Sequence, residues 1–218
     1  RNIGIKNAKG RLLAFLDNDV EVDKKWLWEL VKVIEDNPQI GNCVPKLLFK
    51  DRPDSLNSSG GIMNIYGDAW DRGIFEKDIG QYDSQNRVFF GCSAAMLTRK
   101  DVLEKINYFD PALYVYEDVD LSWRINLLGY TVVYVPESIA YHRFRGTIIR
   151  DSLKAKYILE RNRIRIMLKN YGNIAFLVPL FCTAALLVLL FIGKKDRFYP
   201  AMPFMAAGCL LSLTLLLL

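Results

Sequence analysis

The sequence predicts an α/β domain over residues 1–149, a basic helix over 150–170, and two membrane-crossing helices over 171–193 and 198–218. Three observations carry this prediction. Short apolar runs alternate with helical periodicity up to residue 149. Seven of the chain's 29 Lys and Arg crowd into residues 150–170, beside only two acids. Two uncharged stretches then follow, each long enough for a hydrocarbon core of ~30 Å.

The elements read in order. Leu12-Leu13-Ala14-Phe15-Leu16 is a continuous apolar run, expected as a strand buried on both faces in a parallel sheet. It stops at Asp17-Asn18-Asp19, read as a strand-to-helix turn. Asp23 then caps a helix to about Asp36, with Trp26, Leu27, Leu30, Val31 and Ile34 on one face. Asn37-Pro38 ends it. Residues 43–49 form a weaker strand. Residues 50–87 are polar and glycine-rich, expected as a functional loop region with small strands. A helix follows from Lys100 to Ile106. Asp118 or Val119 starts another, running to Leu128 with Gly129 just past its end. Tyr130 to Val135 is a strand closed by Pro136.

Composition narrows the function classes. A hydrophobic fraction of 51% excludes a disordered chain, and 14 Gly with 8 Pro exclude a collagenous one. The four cysteines, at 43, 92, 182 and 209, show no CxxC spacing. A zinc ribbon and a disulfide framework are excluded, and a reducing compartment is the simpler setting. The net charge of +5 is unevenly placed: residues 1–149 carry −2 and residues 150–170 carry +5. A basic collar beside an apolar tail fits a membrane surface, with the helix over 151–170 lying on anionic headgroups. It does not fit nucleic acid. Basic residues on both sides of the first span put residues 1–170 on the cytoplasmic side of a cell membrane crossed more than once. The chain opens on Arg1 and ends inside an apolar run, so it reads as a fragment truncated at its N-terminus.

Three sets of residues can carry chemistry. Asp17 and Asp19 end a buried strand, where open α/β sheets place ligands. In extended backbone they point the same way and suit Mg2+ or Mn2+ bridging nucleotide phosphates. Glu117 and Asp118 open a helix, where one of them can serve as a general base with its pKa kept low by the helix N-terminus. His142, the chain's single histidine, follows the last strand and is either a packed residue or a ligand.

In order and spacing these blocks resemble the family 2 glycosyltransferases, the inverting GT-A group that includes rhamnosyltransferase-like enzymes. The resemblance covers residues 1 to about 170. It is carried by Arg1-Asn2-Ile3-Gly4-Ile5 running into Phe15-Leu16-Asp17-Asn18-Asp19, by Gly91 to Met96 with Phe109-Asp110, and by Tyr116 to Arg124. The fourth block is Val135-Pro136-Glu137 through His142, followed by Arg161-Asn162 and Leu168 to Tyr171.

The resemblance implies a GT-A-like, Rossmann-like mixed sheet, incomplete at its N-terminus. It implies that Asp19 binds the metal, Mg2+ or Mn2+, with Asp17 near the metal or ribose and His142 as a further metal or diphosphate contact. Arg1, Asn2 and Asn18 would bind the donor, a nucleotide diphosphate sugar. Gly91, Cys92, Ser93, Ala94, Asp120, Trp123 and Arg124 would line the sugar and acceptor pocket. Asp118, or else Glu117, would take the proton from the acceptor hydroxyl in a single displacement with inversion. The anchor points to a lipid-linked or cell-envelope glycan as acceptor. The sequence departs from the family in reading Asn107-Tyr108 where the family has a glycine pair. Alternatives are a nucleotidyltransferase on a similar scaffold, an inactive membrane-bound binding subunit, and a structural docking protein.

Overall fold

The computed structural model describes residues 1–143 and 153–172. Two units divide the chain, Arg1–Arg163 and Ile164–Leu218, the second described only as the end of a helix and the turn after it. The elements are α1 (Asn2–Asn7), β1 (Leu12–Leu16), β2 (Val20–Val22), α2 (Trp26–Asp36), β3 (Ile40–Phe49), β4 (Arg52–Ser58), β5 (Gly61–Met63), β6 (Ala69–Asp71), β7 (Arg87–Val88), β8 (Ala95–Arg99), α3 (Lys100–Lys105), α4 (Glu117–Leu127), β9 (Thr131–His142) and α5 (Leu153–Asn170). The expected spans lie outside the described residues from position 173 onward. Among the described residues no helix is long and apolar enough to cross a membrane.

The first unit is a mixed sheet covered on both faces. Its strands run β1-β8-β3-β9-β2, with β4 added to β3 and β7 to β9; β5 and β6 form a separate hairpin. Among the described residues only β3 and β9 pair in parallel, and the other pairs are antiparallel. Alternate residues of each strand feed opposite cores. Val44, Met96, Val132 and Tyr134 pack with Val102, Leu103, Leu121 and Ile125 of α3 and α4. Cys43, Leu47, Leu97 and Val135 pack with Trp26, Leu30 and Ile34 of α2 on the other face. Leu30 and Ile34 are fully buried, each stabilising the fold by about 1.5–3 kcal/mol.

Several expectations are corrected. The β1 run is not a central parallel strand: it ends the strand order, pairs antiparallel with β8, and is buried at Leu13 alone. The strand with every residue buried is β3, expected as weak. Both give continuous apolar sequence, and only tertiary placement separates them. Pro136 does not close its strand. The β3–β9 ladder shifts register after Pro45↔Val135 and resumes at Lys46↔Ile139. Residues 136–138 bulge out, so Pro136 sits where no ladder hydrogen bond is required. Leu27 is 45% exposed, outside the apolar face of α2. The turn after β1 leads into β2 rather than straight into a helix.

A buried ion pair sets the seat of α4. Asp120 has no exposed surface and accepts two hydrogen bonds from Arg124, at 2.7 and 2.9 Å. The same guanidinium donates to the carbonyls of Ile106 and Tyr108, tying α4 to the end of α3. Arg124→Ala would take the cation from a wholly buried carboxylate and leave two carbonyls without this donor. Removing one partner of such a pair costs about 3–5 kcal/mol, so thermal denaturation of that variant is expected to show a large loss of stability.

Candidate functional site

The C-terminal ends of β1, β3 and β9 and the start of β8 meet at one rim of the sheet. The turn after β1 is pinned there from two sides. Asp17 N donates to Ala94 O at 2.9 Å, and Asp19 O accepts from Arg143 N at 2.9 Å. Because Asn18 and Asp19 form a turn, the backbone is not extended and the two carboxylates part company. Asp17 faces Arg1, at 2.9 Å. Asp19 faces His142, its Oδ1 3.6 Å from Nε2. Asn18 is exposed at the tip.

His142 is brought to Asp19 by the β2–β9 ladder, in which Val20 pairs with His142. Its ring is oriented from behind. Nδ1 lies 2.8 Å from the Oδ1 of Asn57, a buried residue. In the neutral tautomer with the proton on Nδ1, Nε2 would face the Asp19 carboxylate with its lone pair. Two electron-rich atoms facing each other at 3.6 Å suit a cation between them. Among the described residues no group of three or more His, Cys, Asp or Glu is placed to hold a metal. The pair therefore fits a hard divalent ion of the kind that takes one or two protein ligands and completes its shell with water and phosphate. Asp17, held by Arg1, is not part of that pair. Asn57 was missed in the sequence because 85 residues separate it from His142, and no local pattern marks such a partner.

A second cluster surrounds the start of α4. Arg1 donates to Asp17, to Glu117 at 2.9 Å and to Ser93 Oγ at 2.8 Å, and its guanidinium lies 5.4 Å from the Phe109 ring centre. Ser93 Oγ also donates to Glu117. Glu117 is thus committed to Arg1 and Ser93. Asp118 takes the backbone instead: its carboxylate accepts from Ser93 N at 3.3 Å and from Val119 N at 2.8 Å.

The Asp118 carboxyl is pushed up to about 8, first by burial and then by the charges of Glu117 and Asp71. Those effects outweigh the two backbone N–H groups, which pull it down. The expectation of a low pKa at a helix N-terminus is corrected: removal from water dominates the dipole here. Asp71, on the β5–β6 hairpin, is another contributor that the sequence did not reveal.

Helix α4 starts from Tyr116 at φ 70°, a left-handed conformation at a position that usually has β-region angles. Such strain costs about 1–3 kcal/mol and persists where surroundings over-determine it.

The remaining expected residues fall elsewhere. Asn2 is bound on both sides to the Phe109 backbone, donating to its O at 2.8 Å and accepting from its N at 3.1 Å. Asp120 and Arg124 form the buried clamp described above, and Trp123 is 5% exposed, edge-on to Phe89. These three are structural, because α4 turns only its first residues to the cleft. Gly91 is required by packing: a Cβ there would lie 2.2 Å from Val44 Cγ1. Ala94 is buried beside it. An open cleft of about 490 Å3 adjoins the cluster, lined by Arg1, Phe109, Leu113, Tyr114 and Glu117 among others.

Comparison with known proteins places this geometry. Residues 1–106 match the family described as Glycosyl transferase family 2. The O-antigen biosynthesis protein RfbC of Myxococcus xanthus is 32% identical over 181 residues, 79% of this chain and 14% of that protein. The pre-mycofactocin glycosyltransferase of Mycobacterium tuberculosis is 28% identical over 160 residues, 72% of this chain and 32% of that protein. This chain therefore spans under a third of the length of these relatives. The crystal structure of GalNAc-T7 with UDP, GalNAc and Mn2+ aligns with a TM-score of 0.58 at 19% identity, over 77% of this chain and 33% of that one. The mixed α/β sheet is thus of the GT-A-like kind.

Cys92 lies half-buried in the acidic cluster, its thiol pushed well above the usual range by burial and by Asp71 and Asp118. The thiolate is the reactive form, so alkylation at pH 8 is expected to be at least about tenfold slower than for free cysteine. Iodoacetamide labelling of the native chain followed by peptide mass analysis measures this.

Proposed function

We propose that this chain is the catalytic part of a membrane-anchored, inverting glycosyltransferase. It moves a sugar from a nucleotide diphosphate donor to a hydroxyl of a lipid-linked or cell-envelope glycan. The observation that carries the reading is the meeting, on one rim, of a cation-seeking pair (Asp19 and His142) and a desolvated acid (Asp118). The family 2 match over residues 1–106 supports the reaction class. The relative named for O-antigen biosynthesis supports a surface glycan as product, and the UDP and Mn2+ in the GalNAc-T7 crystal support a metal-assisted nucleotide sugar. A rhamnosyl-type donor is the finer form of the proposal, supported by the sequence resemblance alone.

A divalent ion, Mg2+ or Mn2+, bound by Asp19 and His142 would neutralise charge on the departing diphosphate. Asp118 takes the proton of the acceptor hydroxyl. The hydroxyl oxygen bonds to the anomeric carbon as the carbon–phosphate oxygen bond breaks, and the nucleoside diphosphate leaves. A base with a pKa near the working pH suits this task better than a strongly acidic carboxyl. Glu117, held by Arg1 and Ser93, shapes the electrostatics around Asp118. On α5, Leu153 and Tyr157 are 86% and 56% exposed. Four residues apart, they share a helix face, and with the neighbouring cations they favour a membrane surface.

The test incubates the full-length protein in membranes with UDP-, GDP- and dTDP-sugars plus Mn2+ and follows nucleoside diphosphate release. One donor is expected to react. Asp118→Asn is expected to lower kcat by about 10²–10⁴-fold, and Asp19→Ala to weaken metal-dependent donor binding. Wild-type rates in Asp118→Asn would refute its role, and donor binding without release in wild type would favour an inactive binding subunit.

The raised Asp118 pKa also sets two pH responses of opposite direction. Transfer needs the deprotonated form, so kcat/KM is expected to rise about tenfold per unit up to a plateau near pH 8. Folding shows the reverse trend. The native carboxyl keeps its proton up to about 8, while the unfolded one loses it near ~3.9. Between those values the folded state binds more protons, so the Asp118 contribution falls as pH rises, by up to about 1.4 kcal/mol per unit. The thermal stability of Asp118→Asn relative to wild type is therefore expected to increase from pH 5 to pH 8.

A further inference from the structure

We infer that Asn162, on α5, is a positioning residue for Asp118. It holds the turn at Val115 and Tyr116 from which the helix bearing Asp118 starts. The inference rests on the transferase reading and gives a role to Asn162, a residue of the fourth block to which none had been assigned.

The contact is direct and fully enclosed. Asn162 has no exposed surface, and its Nδ2 donates to Val115 O at 2.7 Å. Its orientation is fixed by a neighbour: Arg161 donates from Nε and Nη2 to Asn162 Oδ1, at 3.0 and 2.8 Å. With the oxygen occupied by the guanidinium, only the amide N–H group can face Val115. The carbonyl it holds belongs to the peptide just before Tyr116, whose φ of 70° is left-handed. Glu117 and Asp118 follow at once. A strained residue beside a reacting group keeps its geometry only while its surroundings impose it, and Asn162 supplies part of that imposition.

A second line runs in parallel. The Tyr116 hydroxyl hydrogen-bonds the backbone of Ala69, the first residue of β6. The tip of that hairpin is held by Arg163, which donates to Tyr66 O at 2.8 Å and lies 3.3 Å from Asp68. Consecutive residues of α5 thus secure the Tyr116 turn twice, once through the backbone and once through the hairpin that its side chain grips. Asn162 is uncharged and acts through Val115, so its effect is on placement.

The test uses the full-length protein in membranes with the donor found by nucleotide release. Asn162→Asp keeps the side-chain size and removes the N–H donor, and Asn162→Ala removes both partners. Both variants are expected to lose on the order of 10²-fold in kcat, with the donor KM within about twofold of wild type. Hydrogen exchange at residues 114–120 is expected to accelerate while that of β3 and β9 stays as in wild type. Wild-type kcat in either folded variant would overturn the inference. So would a donor KM and sheet exchange that change in step with kcat, the signature of a residue that merely holds the fold. If neither variant folds, Arg161→Gln, which releases the amide to rotate, serves instead: lower kcat at unchanged KM supports the inference, and unchanged kcat overturns it. A wild type that binds donor and transfers nothing sinks the transferase reading, and this inference with it.

Discussion

The rim of this molecule depends on one parallel ladder that survives a three-residue bulge. β3 and β9 pair from Ile40↔Thr131 to Pro45↔Val135, lose register, and resume at Lys46↔Ile139 as far as Phe49↔His142. Had the pairing stopped at the prolines, His142 would have no fixed place. The bulge is itself anchored, since Ser138 Oγ donates to Trp26 O at 2.8 Å at the start of α2. Beyond it, residues 140–142 accept β2 as an edge strand, and β2 follows directly on the turn that carries Asp19. The Asp19–His142 pair is therefore a consequence of strand pairing, with Asn57 setting the ring. A histidine on a regular strand is held more firmly than one on a loop.

The acids at the start of α4 show a different balance. Four carboxylates, Asp17, Asp71, Glu117 and Asp118, gather around Cys92 and Ser93, and the Arg1 guanidinium reaches two of them, Asp17 and Glu117. The pairing leaves Asp118 to accept from the backbone N–H groups of Ser93 and Val119. Burial and neighbouring charge then favour its neutral form. Arg1 thus separates the surroundings of adjacent residues: Glu117 is bound as an ion-pair partner, while Asp118 has no cation beside it among the described hydrogen bonds and ion pairs. Two acids in sequence become chemically unlike through the company each keeps.

Much of this was legible in the amino-acid order, for identifiable reasons. The helices α2, α3 and α4 and the end of α4 at Gly129, with φ 85°, follow from periodicity and a left-handed terminus, whereas the expected Asp23 cap is corrected: Asp23 accepts from Lys25 N ahead of the helix, and Lys25 takes the N-cap position without a side-chain cap. The glycine-rich stretch 50–87 does hold small strands around a loop region. The blocks around Asp19, Asp118 and His142 stood out as polar residues at the ends of apolar runs. What escaped was anything set by distant contact. Leu12–Leu16 and Ile40–Phe49 look alike in sequence, and sheet order alone makes one an edge and the other a centre. Asp120 and Arg124 share a block with Asp118, yet face the opposite side of the helix, where the interior takes them. The Asp118 pKa was misjudged because the dipole is local and readable, whereas burial is not.

Asp118 is held from two sides that have no sequence in common. On the inner side, Arg124 grips Asp120 and the carbonyls of Ile106 and Tyr108. That grip crosses Asn107 and Tyr108, which both sit at positive φ, 59° and 64°. Asn tolerates such angles and Tyr does so poorly, so the loop bears strain that the Arg124 hydrogen bonds help to offset. On the outer side, Asn162 holds Val115, beside the left-handed Tyr116. The first turn of α4 is thus suspended between two strained connections, each locked by a buried polar side chain. A helix merely packed on the sheet could slide along its apolar face, because apolar contacts are not directional. Directional bonds at both ends remove that freedom, and the placement of one carboxyl becomes a property of the whole domain.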